Sequence, residues 1–155
     1  MVNRERAQTL FVEAIQTHFD AWKAKITDKQ RHPIPICAAG PGVGKSKLNE
    51  EGLSLLKNGV KDPELKSYLS DAIQILITFS NGVGLQLQEQ HWDFQTIVAL
   101  RVLFYYSGEI IYSRWLKENV PNGNEFNLSL NNVLEVISKQ ISGKVCIYLG
   151  IDEFN

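Results

Sequence analysis

The chain has 155 residues, 44% of them hydrophobic, which is the length of one domain and enough apolar side chain to bury a core. Its 16 Lys and Arg against 17 Asp and Glu leave a net charge of -1, so no strong field steers it onto nucleic acid or an anionic membrane. Charges interrupt the first apolar segment every few residues, which excludes a signal peptide or membrane span there and sets the expectation of an intracellular protein, cytoplasmic or nuclear.

Ala7, Phe11, Ile15, Phe19, Trp22 and Ile26 recur in steps of four or three, predicting an amphipathic helix within residues 1–30 that packs on the next elements of the chain. After the polar TDKQRHP, the short apolar IPICAA reads as a buried strand running into glycines, with Pro35 at its start because proline cannot donate to a ladder. A helix is expected from Lys45 to Leu56, with Gly59 as its C-cap. Asp62 as N-cap and Pro63 in the first turn open another, whose inner face is Leu65, Tyr68, Leu69 and Ala72.

The alternation of Ile75, Ile77 and Phe79 predicts a second strand. Asp93 caps a helix from Phe94 to Tyr106 that is apolar on most sides and so deeply packed, and GEIIYSRWLKEN forms a further short one. Ser129 caps a last helix carrying Leu130, Val133, Leu134, Ile137 and Ile141. KVCIYLGIDEFN is then a third apolar strand, ending in two carboxylates. Helices alternating with apolar strands argue for an α/β fold with a mainly parallel sheet. Cys37 and Cys146 lie in those strand-like runs without CxxC spacing or paired histidines, and read as reduced core thiols.

Ala39, Gly40, Pro41, Gly42, Val43, Gly44, Lys45 and Ser46 match the phosphate-loop pattern G-x-x-x-x-G-K-[ST], with alanine in place of the first glycine. Small residues let successive backbone N–H groups curl around a phosphate, and the helix behind them adds its positive end. Lys45 supplies a point charge to the β- and γ-phosphates, Lys47 joins the cofactor-binding set, and the Ser46 hydroxyl goes to Mg²⁺. At the end of the third strand, Asp152 is expected to hold the same metal, usually through water, and Glu153 to polarise the attacking water. Both motifs in one chain make ATP and Mg²⁺ the expected cofactors, and Glu153 and Lys45 the catalytic residues.

Other residues read as structural. His18, His32 and His91 show no ligand spacing and are expected to be solvated or satisfied within the fold. Arg101 is read as a structural ion pair or a snorkelling side chain rather than a phosphate ligand. Trp22, Trp92, Trp115 and LFYYS are read as core rather than as stacking platforms for bases.

The Asp-Glu pair is typical of NTPases that carry their own hydrolytic base, the AAA-like and STAND-like group, and the absence of N-K-x-D favours ATP over GTP. In this order, ICAAGPGVGKSKL, ILITFSNGVG, ALRVLFYYSGE and IYLGIDEFN resemble the NTPase module of Crinkler effectors and the related retrotransposon hot spot proteins, over about residues 30 to 155. The resemblance implies a three-layer P-loop NTPase-type sheet flanked by helices, in a single domain over residues 1–155. It also implies an ATP-hydrolysing module that accompanies a second effector domain, such as a nuclease, often in a host nucleus. The chain stops two residues after Glu153, before any sensor residue or arginine finger, so the expectation is a module incomplete at its C-terminus that binds nucleotide poorly alone. A non-hydrolysing nucleotide switch and a small-molecule kinase are the competing readings. The expected partners are a nucleotide and either a protein or a missing C-terminal domain, with no nucleic acid and no membrane.

Overall fold

The computed structural model describes residues 4–37, 44–80, 83–120, 126–141 and 146–152. The chain divides into two compact units, Met1–Ala72 and Ile73–Asn155. In the first, α1 (Arg4–Lys23), α2 (Lys45–Gly59) and α3 (Pro63–Ser70) pack in sequence, with a 3-10 turn at Lys29–Arg31.

The expected stripe of α1 holds through Phe19, which is buried, while Ala7, Phe11 and Ile15 are half-buried. Trp22 and Ile26 depart from it and are 54% and 40% exposed. The reason is the helix end. Lys25 takes the left-handed backbone (φ 54°), its N–H reaches the Trp22 carbonyl at 3.0 Å, and the Ile26 N–H reaches the Ala21 carbonyl at 2.9 Å. This pair of bonds closes a helix and turns the chain away, so Ile26 leaves the stripe. Trp22 instead packs its ring against Phe19 and Tyr68, with centroids 5.8 and 5.9 Å away.

Gly59 is the last residue of α2 rather than its cap, which falls to extended Val60. A Cβ added to Gly59 would stand 2.7 Å from Val12 Cγ2, so glycine is needed for the close approach of α1 and α2. Valine is stiff at χ1 and cannot swing clear. Gly59→Ala is therefore expected to lower the melting temperature. Overpacking costs about 1–3 kcal/mol, against a propensity gain of at most about 1 kcal/mol. Thermal unfolding followed by circular dichroism checks this, and a raised midpoint would contradict it.

The α3 start is as predicted. Asp62 Oδ1 accepts from the Leu65 N–H at 2.8 Å, Pro63 opens the helix, and Leu65 and Leu69 are buried.

The described part of IPICAA, residues 34–37, does not form the expected buried strand. Residues 34–37 have no strand pairing, Ile34 and Ile36 are 82% and 85% exposed, and Cys37 is exposed rather than a core thiol. Pro33 and Pro35 explain it. They stand two residues apart, so both missing N–H donors fall on the same edge, and that edge cannot donate to a ladder.

The second unit contains β1 (Ile73–Thr78), a 3-10 turn at Leu87–His91, α4 (Phe94–Ser107), α5 (Tyr112–Asn119), α6 (Leu130–Gln140) and β2 (Ile147–Asp152). The strands pair in parallel from Ile73 opposite Ile147 to Thr78 opposite Asp152. This corrects the expected fold: the described residues are mostly helical and their sheet has two strands, so the three-layer sheet is not seen. Of the three apolar runs read as strands, the two free of proline pair with each other.

Asp93 caps α4 as predicted. Its Oδ1 accepts from the Thr96 N–H at 2.8 Å, a bond that holds its carboxyl below the usual carboxylate range. Thr96 to Val102 are all buried. Val98, Ala99 and Val102 join Ile75, Ile77, Val133 and Ile137 in one core, while Ile97 and Leu100 join Trp92, Tyr112, Leu116 and Val120 in another. A helix between two cores has no polar face to spare, which is why its sequence is apolar nearly all round.

Candidate functional site

Gly44 sits immediately before α2 with φ 85° and ψ 28°, a left-handed conformation that costs an L-residue roughly 1–2 kcal/mol and glycine nothing. Nothing lies within 4 Å of where its Cβ would be, so glycine is required by the backbone and not by crowding. Its carbonyl accepts the Leu48 N–H at 2.9 Å. The turn delivers Lys45, Ser46 and Lys47 to the first turn of a 15-residue helix. The amides there have no acceptor within the helix and carry its partial positive charge.

No acidic residue stands in that first turn to neutralise the charge. Lys45 is half-buried, Ser46 is exposed, and exposed Lys47 pairs with Glu51 at 3.6 Å along the helix. Ala39, Gly40, Pro41, Gly42 and Val43 lie outside the described residues, as does Glu153.

Asp152 is the last residue of β2, half-buried and opposite Thr78. Its carbonyl accepts the Phe79 N–H at 3.3 Å. Thr78 Oγ1 accepts the Ser80 N–H at 3.2 Å and lies 3.1 Å from Ser80 Oγ, so two hydroxyls gather at the end of β1. Thr78 and Ser80 lie within the ILITFSNGVG stretch that carries the resemblance, though motif reading assigned neither hydroxyl a role. Lys45 and Ser46 belong to the first unit and Asp152 to the second.

Arg101 is the structural ion pair expected of it. It is 1% exposed and makes a two-pronged pair with Glu89, which is fully buried. Its Nη1 also donates to Tyr112 Oη at 3.1 Å, and its Nη2 to the carbonyls of Val83 at 3.1 Å and Gly84 at 3.4 Å. The Tyr112 hydroxyl donates to Glu89 Oε1 at 2.7 Å, and burial pushes that phenol's pKa upward, keeping it a donor. The guanidinium lies between the Phe79 and Tyr112 rings, 4.3 and 4.6 Å from their centroids. One side chain thus ties the segment leaving β1 to α4 and α5.

His18 and His32, expected to be solvated or satisfied within the fold, meet in the first unit with their Nδ1 atoms 3.4 Å apart and ring centroids at 4.9 Å. His32 Nε2–H donates to the Ile26 carbonyl at 2.6 Å. Burial, and then His32 beside it, pushes the His18 pKa below its ordinary value. His91 is exposed. Trp92 is buried as expected and Trp115 half-buried.

No set of three or more His, Cys, Asp or Glu converges among the described residues, and no described helix is long and apolar enough to cross a membrane. No protein-family model and no solved structure matches the chain. Crinkler effector protein 108 of Phytophthora sojae is 27% identical over 150 residues, an alignment that takes in 92% of this chain. The chain spans about a sixth of that relative, 17% of its length. The resemblance to Crinkler effectors therefore runs through nearly the whole of this chain.

Proposed function

We propose that the chain is an ATP-binding module whose phosphate cradle is formed by Ala39 to Ser46, with Mg²⁺-dependent hydrolysis as its reaction. The observation that carries this reading is the left-handed Gly44 feeding a 15-residue helix at Lys45, with no carboxylate in the first turn. Such a turn presents amide donors and a positive dipole to an anion. Lys45 adds a charge for the β- and γ-phosphates, with Lys47 beside it, and the Ser46 hydroxyl is a ligand for Mg²⁺.

Asp152 is assigned to hold Mg²⁺ and Glu153 to polarise the attacking water. The position of Asp152 at the carboxyl end of a parallel strand supports its role, because ligands of α/β sheets gather outside those ends. Bound metal would supply charge neutralisation at the phosphates; the chain's own part is to orient them and to take a proton from water. Similarity to a protein named an effector supports coupling of nucleotide state to a protein partner or a further domain.

The test is Mg-ATP titration of the full chain, followed by single-turnover phosphate release. Wild type is expected to bind and release; Glu153→Gln should bind with unchanged affinity and release phosphate at least about a hundredfold more slowly. Absence of ATP binding by wild type overturns the reading. Equal release by the two proteins removes Glu153 from the chemistry, whereas binding without release by wild type favours a switch that does not hydrolyse.

A further inference from the structure

We propose that His18 and His32 form a two-imidazole site for a divalent cation of the Zn²⁺ class. The distance between their facing nitrogens makes the first argument. Hydrogen bonds from N–H fall at about 2.7–3.2 Å, and 3.4 Å is long for one. Two nitrogens bound to one tetrahedral Zn²⁺ at about 2.0–2.1 Å stand about 3.3–3.4 Å apart. The separation matches that of two ligands on one ion and is longer than a usual donor–acceptor distance.

The second argument is the outer bond. His32 gives its Nε2 proton to the Ile26 carbonyl at 2.6 Å, so in the neutral ring Nδ1 keeps its lone pair on the His18 side. A histidine that binds metal commonly has its other nitrogen anchored to a carbonyl in this way. The anchor is itself held, since the Ile26 N–H bonds to the Ala21 carbonyl where α1 closes. His32 caps the 3-10 turn, whose own start is fixed by Asp28 Oδ1 accepting the Gln30 N–H at 3.0 Å. Both imidazoles are thereby delivered by ordered backbone.

Nitrogen donors select the borderline cations over Mg²⁺ or Ca²⁺, which take oxygen. No third protein ligand converges among the described residues, and His18 is exposed, so water completes the coordination. This site is independent of the nucleotide reading.

The experiment is a Zn²⁺ titration of the full chain by calorimetry, with histidine ring signals followed by nuclear magnetic resonance. One ion per chain is expected, shifting His18 and His32 together and leaving His91 in place. His18→Ala and, separately, His32→Asn should each weaken binding at least about tenfold. His91→Ala should leave it unchanged, and so should Cys37→Ser, which removes an exposed thiol that could bind zinc by itself. Far-ultraviolet circular dichroism of each variant keeps loss of binding distinct from loss of fold, and His18→Gln serves if His18→Ala does not fold. No binding by wild type, full affinity in a folded His18 variant, or loss of binding in Cys37→Ser overturns the site.

Discussion

Lys45→Ala is expected to weaken Mg-ATP binding by at least about a hundredfold. A charge-assisted hydrogen bond is worth about 1.5–3 kcal/mol, and a lysine bridging two phosphates makes more than one. About 1.4 kcal/mol is a factor of ten in affinity, so two such bonds exceed two decades. The fold should survive the change, because position 45 is the first residue of α2 and alanine is the best helix former. Calorimetric titration of wild type and variant, with circular dichroism as the control, makes the measurement. Equal affinities would show that the turn at Gly44 ends in an ordinary helix start.

Arg101→Leu should lose about 3–5 kcal/mol of stability, because it leaves the fully buried Glu89 carboxylate without its counter-charge. A typical domain has about 5–15 kcal/mol in all, so the urea midpoint should fall steeply. Removing both charges tests the cause. The double variant Arg101→Leu with Glu89→Leu should recover much of the loss, since an apolar pair no longer buries an unmatched ion. Arg101→Lys should sit between, as an ammonium cannot reproduce the two-pronged contact. A single variant within about 0.5 kcal/mol of wild type would mean that water reaches Glu89.

Much of this architecture was legible because its signals are local. Asp62 with Pro63, and Asp93 with Thr96, are caps that act within three residues, and both appear where the sequence puts them. The apolar surround of α4 announced a helix between two cores. The three-layer sheet was misread because hydrophobicity outweighed backbone chemistry at IPICAA, where Pro33 and Pro35 strip one edge of its donors. Glu89 was missed because LQEQH looks like a solvated turn, and its partner stands 12 residues away on the next helix. The meeting of His18 and His32 depends on a closing turn that returns the chain to α1, and spacing alone does not reveal it. Where the phosphate-loop pattern was read, the expected helix starts at Lys45 behind a left-handed Gly44, while residues 34–37 are not the expected strand.

The pairing of Ile73 with Ile147 spans 147 − 73 = 74 positions and sets the order in which the chain can assemble. At roughly 5–20 residues per second of synthesis, β1 waits about 4–15 s for its partner strand to exist. Closing a loop of that length adds roughly 4 kcal/mol of entropy cost before the ladder returns anything. The helices of the first unit pack on sequence neighbours and need no such wait. During the delay α4, made soon after β1, can already cover Ile75 and Ile77. The nascent strand then has its greasy face sheltered and an open edge still able to capture a stray segment, until β2 arrives to close it.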